Sequence, residues 1–257
     1  MTLRGAATLL LVEPETLRTE LAAASGWRCA PTQDEAQKET RFIRALRRVD
    51  PDAAGLSLNA GLRHGAGAGA FVTADLCPSR RPLDRGFFES LAGQSKGTPV
   101  AIAVSGYWMR RHGADFEWLK QQADSGALAI SWVNHSLTHP FSPRRPDARN
   151  YLLSAGVDMA REILETEQEL IERGATPSVF FRFPGLVADP ALMEAVRARH
   201  LIALGADGWM VFLPPLRPGA ILLVHPNGNE PAGLRLFARK LAQGALPRPF
   251  RPIEDAP

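Results

Sequence analysis

LAISWVNHSLTHP, residues 128–140, carries the strongest structural signal in the chain. Its first six residues form a nearly continuous apolar run, the pattern of a strand buried on both faces of a parallel sheet. Two histidines, His135 and His139, follow where such a strand ends. Histidines four apart lie on one side of a helical turn, a spacing that lets both imidazoles reach one metal ion. Folds of the α/β class place their reactive groups at the C-terminal ends of strands. The competing reading is a pair of capping or surface histidines beside Pro140.

Working outward, short apolar runs alternate with helical stretches from Phe71 onward. Beside 128–133, candidate strands are 71–75 (FVTAD), 99–104 (PVAIAV), 178–183 (SVFFRF), 201–204 (LIAL) and 220–224 (AILLV). Helix candidates are 83–92, 114–125, 155–174 and 188–200. The third shows Met159, Ile163, Leu170 and Ile171 on one stripe, with Gly174 placed as its stop. This alternation specifies an α/β barrel or a doubly wound sheet.

The flanks carry less information. Residues 1–70 read as an N-terminal extension, 71–245 as the α/β domain and 246–257 as a Pro-rich, irregular tail. Within the extension, 34–48 is expected to be an amphipathic helix with Phe42, Ile43 and Leu46 on one face. The apolar run Ala6–Val12 is followed by Glu13, Pro14 and Glu15 rather than a small-residue cleavage site. It therefore reads as a first strand or a packed segment, and cytoplasm and periplasm both stay open. Gly65, Gly67 and Gly69 precede a strand instead of following one, so a flexible linker is expected rather than a dinucleotide-binding loop.

Composition narrows the function classes. At 257 residues, 45% hydrophobic and 22% charged, the chain can build one large core. A net charge of +3 with no dense Lys/Arg run argues against nucleic-acid binding. No stretch reaches the roughly 20 apolar residues of a membrane-spanning helix. Two cysteines, Cys29 and Cys77, are too few for a disulfide framework. Nothing in the sequence sets the oligomeric state.

Four further residues stand out. Asp75 ends the strand FVTAD, where a carboxylate can bind metal, act as a general base or simply cap a turn. His225 ends ILLVH, a position where no packing demand requires histidine. Arg182 lies inside the apolar VFFRF and needs a buried anionic partner, because an unpaired buried charge is very costly. Asp207, in GADGW, is the obvious candidate partner.

In order and spacing, these features resemble the polysaccharide deacetylases of carbohydrate esterase family 4, over roughly residues 71–226. The family's T-F-D-D-G-P is similar to Thr73–Pro78 (TADLCP), and its H-[ST]-x-x-H is matched in full by His135–His139. Its R-x-P plus aromatic resembles Arg182-Phe183-Pro184, with Gly185 in the aromatic's place. Its D-x-W looks like Asp207-Gly208-Trp209, and its strand ending in histidine looks like Ile221–His225.

The resemblance implies an irregular (β/α) barrel of about seven strands. It also implies metal-assisted removal of N- or O-acetyl groups from a carbohydrate. In that reading His135 and His139 hold a divalent metal, usually zinc. Asp75 is the general base, with Arg182 orienting it and Asp207 orienting Arg182. His225 is the general acid. Trp209 and Pro184 line the substrate pocket, and the backbone N–H near Gly185 donates to the oxyanion.

One departure is consequential, since Leu76 stands where the family has its third metal ligand. Either Asp75 serves as ligand, two histidines hold the metal with water, or the site is metal-free; Cys77 is a further candidate ligand. The departure also admits an amide hydrolase acting on a small non-sugar substrate, and an inactive glycan-binding domain.

Overall fold

The computed structural model describes residues 2–3, 5–31, 39–48 and 55–257. The chain opens with an antiparallel sheet of β1 (Thr2–Leu3), β2 (Ala6–Val12) and β3 (Thr19–Ala23), so the first apolar run is a strand. Helix α1 (Arg41–Arg47) starts where the Thr40 hydroxyl accepts the Ile43 N–H. Phe42 is buried, and Ile43 and Leu46 pack beside it. Residues 34–38 of the expected helix lie outside the described residues.

The main sheet then forms from β4 (Ala70–Leu76), helix α2 (Arg85–Ala92) and β5 (Thr98–Val104). After these come α3 (Gly106–Arg111), α4 (Gly113–Asp124), β6 (Leu128–Asn134), α5 (Met159–Glu172), β7 (Pro177–Phe181) and α6 (Pro190–Arg197). Two-residue strands β8 (Ile202–Ala203) and β9 (Gly208–Trp209), then β10 (Ala220–Val224) and α7 (Pro231–Ala242), complete it. The order is β8-β7-β6-β5-β4-β10-β9, parallel throughout and curled into a half-barrel. All six expected strands and all four expected helices are present, whereas α3, α7 and β9 were not anticipated. No helix among the described residues is long and apolar enough to cross a membrane.

Strand alternation sorts the core into two sides. Ala70, Val72, Ala74 and Leu76 of β4 pack outward with Phe88, Leu91 and Trp108 from the helices. Phe71 points inward, with Ala101, Ala103, Ile221 and Leu223 of the neighbouring strands. The odd-numbered residues of β4 and β10 therefore face the interior.

The expected linker is part of this barrel. Leu62 donates its N–H to Ala203 O at 2.9 Å, and Gly65 donates to Gly219 O at 2.8 Å, joining the end of β8 to the start of β10. Gly69 has φ +89, and a Cβ there would stand 2.1 Å from Pro249 O. Its glycine serves close backbone approach. The tail packs as well. Arg251 donates to Ala70 O at 2.9 Å, and Ile253 and Ala256 are buried.

Glu167 of α5 lies against Asn134 at the end of β6, and its Oε1 is buried without a hydrogen-bond partner. Burial lifts this carboxyl from about 4.5 to about 7, opposed by a hydrogen bond with Asn134. The folded state thus holds a proton that the unfolded chain gives up first. Its contribution is complete below 4.5 and is lost as pH rises toward 7. Glu167→Gln should flatten the decline in stability across that window, measured as urea midpoints from pH 4.5 to 7.5.

Candidate active site and metal centre

Strand register builds the site. Ala74 pairs with Val224, so Asp75 and His225, each one residue further, come side by side. Leu76, Val104 and Asn134 are likewise in step across β4, β5 and β6, so Cys77 and His135 emerge at one level. All four groups stand at or just beyond the C-terminal ends of parallel strands.

Arg182, fully buried, follows β7 and spends its donors inside the barrel. Nη1 donates to Asp75 Oδ1 and to Thr73 Oγ1, both at 2.7 Å. Nε donates to Leu204 O at 3.3 Å, and Nη2 to Gly205 O at 3.0 Å. The ion pair leaves Asp75 Oδ2 facing two imidazoles. It lies 3.6 Å from His135 Nε2 and 3.9 Å from His225 Nε2. His225 therefore meets the first motif histidine through a single oxygen.

The histidine pair does not sit on a helical turn, as its spacing had suggested. Residues 135–139 form an irregular loop in which Ser136 (φ 65) and His139 (φ 46) take left-handed conformations. Such backbone costs about 1–3 kcal/mol per residue unless its surroundings enforce it. Enforcement comes from buried Glu162 of α5, which accepts the Leu137 and Thr138 N–H groups at 2.9 Å and the Thr138 hydroxyl at 2.6 Å. Asn134 Oδ1 accepts the Ser136 N–H at 3.0 Å. The two imidazoles end up edge to face, 4.7 Å between centroids.

His225 faces Asp75 from the end of β10. Burial opposes its charge, but the nearby Cys77, Glu230 and Asp75 outweigh it, holding the imidazole well above its usual range. Glu230 Oε2 lies 2.8 Å from His225 Nδ1, off the N–H axis, and accepts the Trp209 indole N–H at 2.8 Å. The Trp209 ring is 5.8 Å from that of His225.

Trp209 and Gly185 share a cleft of about 480 Å³ with Tyr151, Asp147 and the exposed Phe212. Gly185 has φ +64, and a Cβ there would stand 2.4 Å from Cζ of Tyr151. The aromatic wall over this position thus comes from Tyr151, itself stacked on Phe141 at 5.4 Å. Pro184, expected to line the pocket, is buried and is not among the residues lining this cleft.

Two expectations need correction. Asp207 does not orient Arg182. It pairs with His64 Nδ1 at 2.7 Å and accepts the Ile221 N–H at 3.0 Å, while Arg182 takes Asp75 as its acid. Leu76 does not face the site either. It is an even-numbered β4 residue, 0% exposed among the outward-packed side chains, and Cys77 is the next one to turn inward.

No family model matches this sequence. Among solved structures, the chain is similar to a family 4 carbohydrate esterase from Bacillus anthracis. Identity is 16% and the TM-score 0.55, over 77% of this chain and 87% of that one. It is also similar to PdaA of Bacillus subtilis, a family 4 carbohydrate esterase, at 13% identity and a TM-score of 0.53, over 97% and 94% of the two chains. The fold is that of the family 4 carbohydrate esterases.

On this carbohydrate-esterase fold, the donor atoms present fit a divalent transition metal. His139 Nε2 is buried with no hydrogen-bond partner. His135 Nδ1 lies 2.8 Å from Arg182 O; donating to that carbonyl leaves the Nε2 lone pair free to bind. The Cys77 thiol joins them, with ligand atoms of all three within 4.8 Å of one another. Burial pushes the thiol up, yet the charge of His139 and hydrogen bonds with His135, His139 and His225 hold it well below its usual range.

Sequence reasoning missed Glu162, Glu230 and Tyr151, which come from segments without a motif. Glu162 is a positioning residue. Glu162→Ala strands two backbone N–H groups, at about 1–3 kcal/mol each. It should lower the melting temperature and weaken zinc binding together, with Glu162→Gln recovering part of both. Calorimetric titration and thermal unfolding would check this; unchanged zinc affinity would separate Glu162 from the histidine loop.

Proposed function

We propose that the protein is a metal-assisted deacetylase that hydrolyses N- or O-acetyl groups on a carbohydrate. The observation that carries this is Asp75 Oδ2, held by Arg182 from behind and flanked by His135 and His225 at 3.6 and 3.9 Å. Carboxylate and imidazolium side by side supply a proton acceptor and a proton donor at one point, the requirement of amide or ester hydrolysis. The carbohydrate is suggested by the esterase names of the structural relatives and by the aromatic cleft.

Each group then has a task. Asp75 takes the proton of the attacking water through Oδ2, since Oδ1 is occupied by Arg182. His225, kept protonated by its acidic neighbours, delivers a proton to the leaving nitrogen or oxygen. The backbone N–H of Gly185, at the wall of the cleft, is the group assigned to donate to the developing oxyanion. Trp209 and Tyr151 flank the acetyl-bearing part of the substrate. A divalent ion held by the histidine pair supplies Lewis-acid polarisation of the acetyl carbonyl when bound.

Acetate release from acetylated chitooligosaccharides and peptidoglycan, measured beside elemental analysis, tests the proposal. Release that stops on chelation and returns with zinc supports it. Inert protein that still retains glycan would favour a binding domain instead.

His225→Ala should lower kcat by about 10²–10⁴-fold, the usual contribution of a general acid, with metal content unchanged. Equal turnover would remove His225 from the mechanism. Glu230→Gln should draw the His225 pKa down. A general acid works only while protonated, so the alkaline limb of the kcat/KM profile should move to lower pH. An unmoved limb would mean that another group sets it.

A further inference from the structure

We propose that Cys77 is the third metal ligand, making a thiophilic Cys-His-His centre that takes zinc or cobalt in preference to magnesium or manganese. The inference deepens the metal reading above. It begins with direction: in β4 the inward residues are 71, 73 and 75, and the next to turn inward is 77. Leu76 is packed against the helices, so no side chain there reaches the histidines.

Distance supports the assignment. A tetrahedral ion bonds sulfur at about 2.3 Å and imidazole nitrogen at about 2.0–2.1 Å, which sets those two atoms roughly 3.5 Å apart. Cys77 Sγ and His135 Nε2 already stand 3.5 Å apart. His139, whose Nε2 is buried without a hydrogen-bond partner, completes the group. Asp75 is the rival ligand, but its Oδ1 is committed to Arg182, and it does not join the cluster that unites Cys77 with both histidines. Duties therefore divide, with sulfur on the ion and Asp75 left for proton transfer.

Coordination uses the sulfur as thiolate, and where the thiol is still protonated its proton passes to solvent. Thiolate and imidazole suit zinc and cobalt, whereas carboxylate-rich sites suit magnesium and manganese. A sulfur donor at position 77 in place of a carboxylate therefore sets which ion the site selects.

Cobalt(II) titration of the chelator-stripped full chain reads the ligand directly. The expected spectrum has a near-ultraviolet sulfur-to-cobalt charge-transfer band together with strong visible bands of a four-coordinate ion. Cys77→Ser should abolish the ultraviolet band and weaken zinc binding beyond the roughly 10–100-fold typical of losing an outer-shell partner. His135→Ala should remove both sets of bands. Cys29, the exposed second thiol, is the control: Cys29→Ser should leave the spectrum intact. Zinc should displace the cobalt, and a large excess of magnesium should not.

Visible bands without the ultraviolet band in the parent protein would overturn the proposal. So would a band that disappears with Cys29, or no cobalt binding at all. Circular dichroism of Cys77→Ser confirms that a lost band reports a lost ligand and not a lost fold. Acetate release plays no part in this readout, so the deacetylase reading and the sulfur ligand can fail separately.

Discussion

The Arg182–Asp75 ion pair is the constraint on which the barrel interior depends. A guanidinium with no exposed surface is tolerable because Asp75 neutralises it and Thr73, Leu204 and Gly205 take three more of its donors. Removing one member of such a pair strands the other, at about 3–5 kcal/mol. The same contact has a chemical result. By fixing Oδ1 it turns Oδ2 toward both imidazoles, so one edge of the carboxylate neutralises the guanidinium while the other faces the histidines. Strands β4 and β7, not hydrogen-bonded neighbours in the sheet, are tied together by it.

The six principal strands were legible because apolar runs buried on both sides need few alternatives weighed. The need of Arg182 for an acid was legible too, from the cost of an unpaired charge. Which acid it takes was not legible from the strand alone, where Asp207 was the candidate; the family resemblance named Asp75 as well, and strand register brings Asp75 to it. The direction of Leu76 follows from simple alternation along 71–77, which turns Leu76 outward and Cys77 toward His135. Glu162, Glu230 and Tyr151 lay beyond reach for another reason. Each meets the site through a tertiary contact with a residue between 5 and 34 positions away, and nothing local marks it. The glycines before β4 were misread because a close approach to Pro249 at the far end of the chain cannot be seen locally.

The histidine loop shows how a site of this kind is held. Left-handed backbone at Ser136 and His139 is unfavourable in isolation, and α5 overrides it through the single carboxylate of Glu162. Helix α5 thus acts as a template for the loop, and its amphipathic stripe has a second purpose beyond covering the sheet. The carboxylate can be buried there because two backbone N–H groups and a hydroxyl replace its water.

Tyr151 standing over Gly185 separates two jobs that one residue could have performed. The backbone of the 184–186 turn follows Arg182 closely in the chain, while the ring beside it belongs to a different loop, following Asn150 and braced by Phe141. The shape of the cleft is therefore modular. Insertions or substitutions in 141–153 can reshape one wall while leaving Arg182 and its ion pair untouched, which makes that loop the part of the molecule where the shape of the cleft is free to drift.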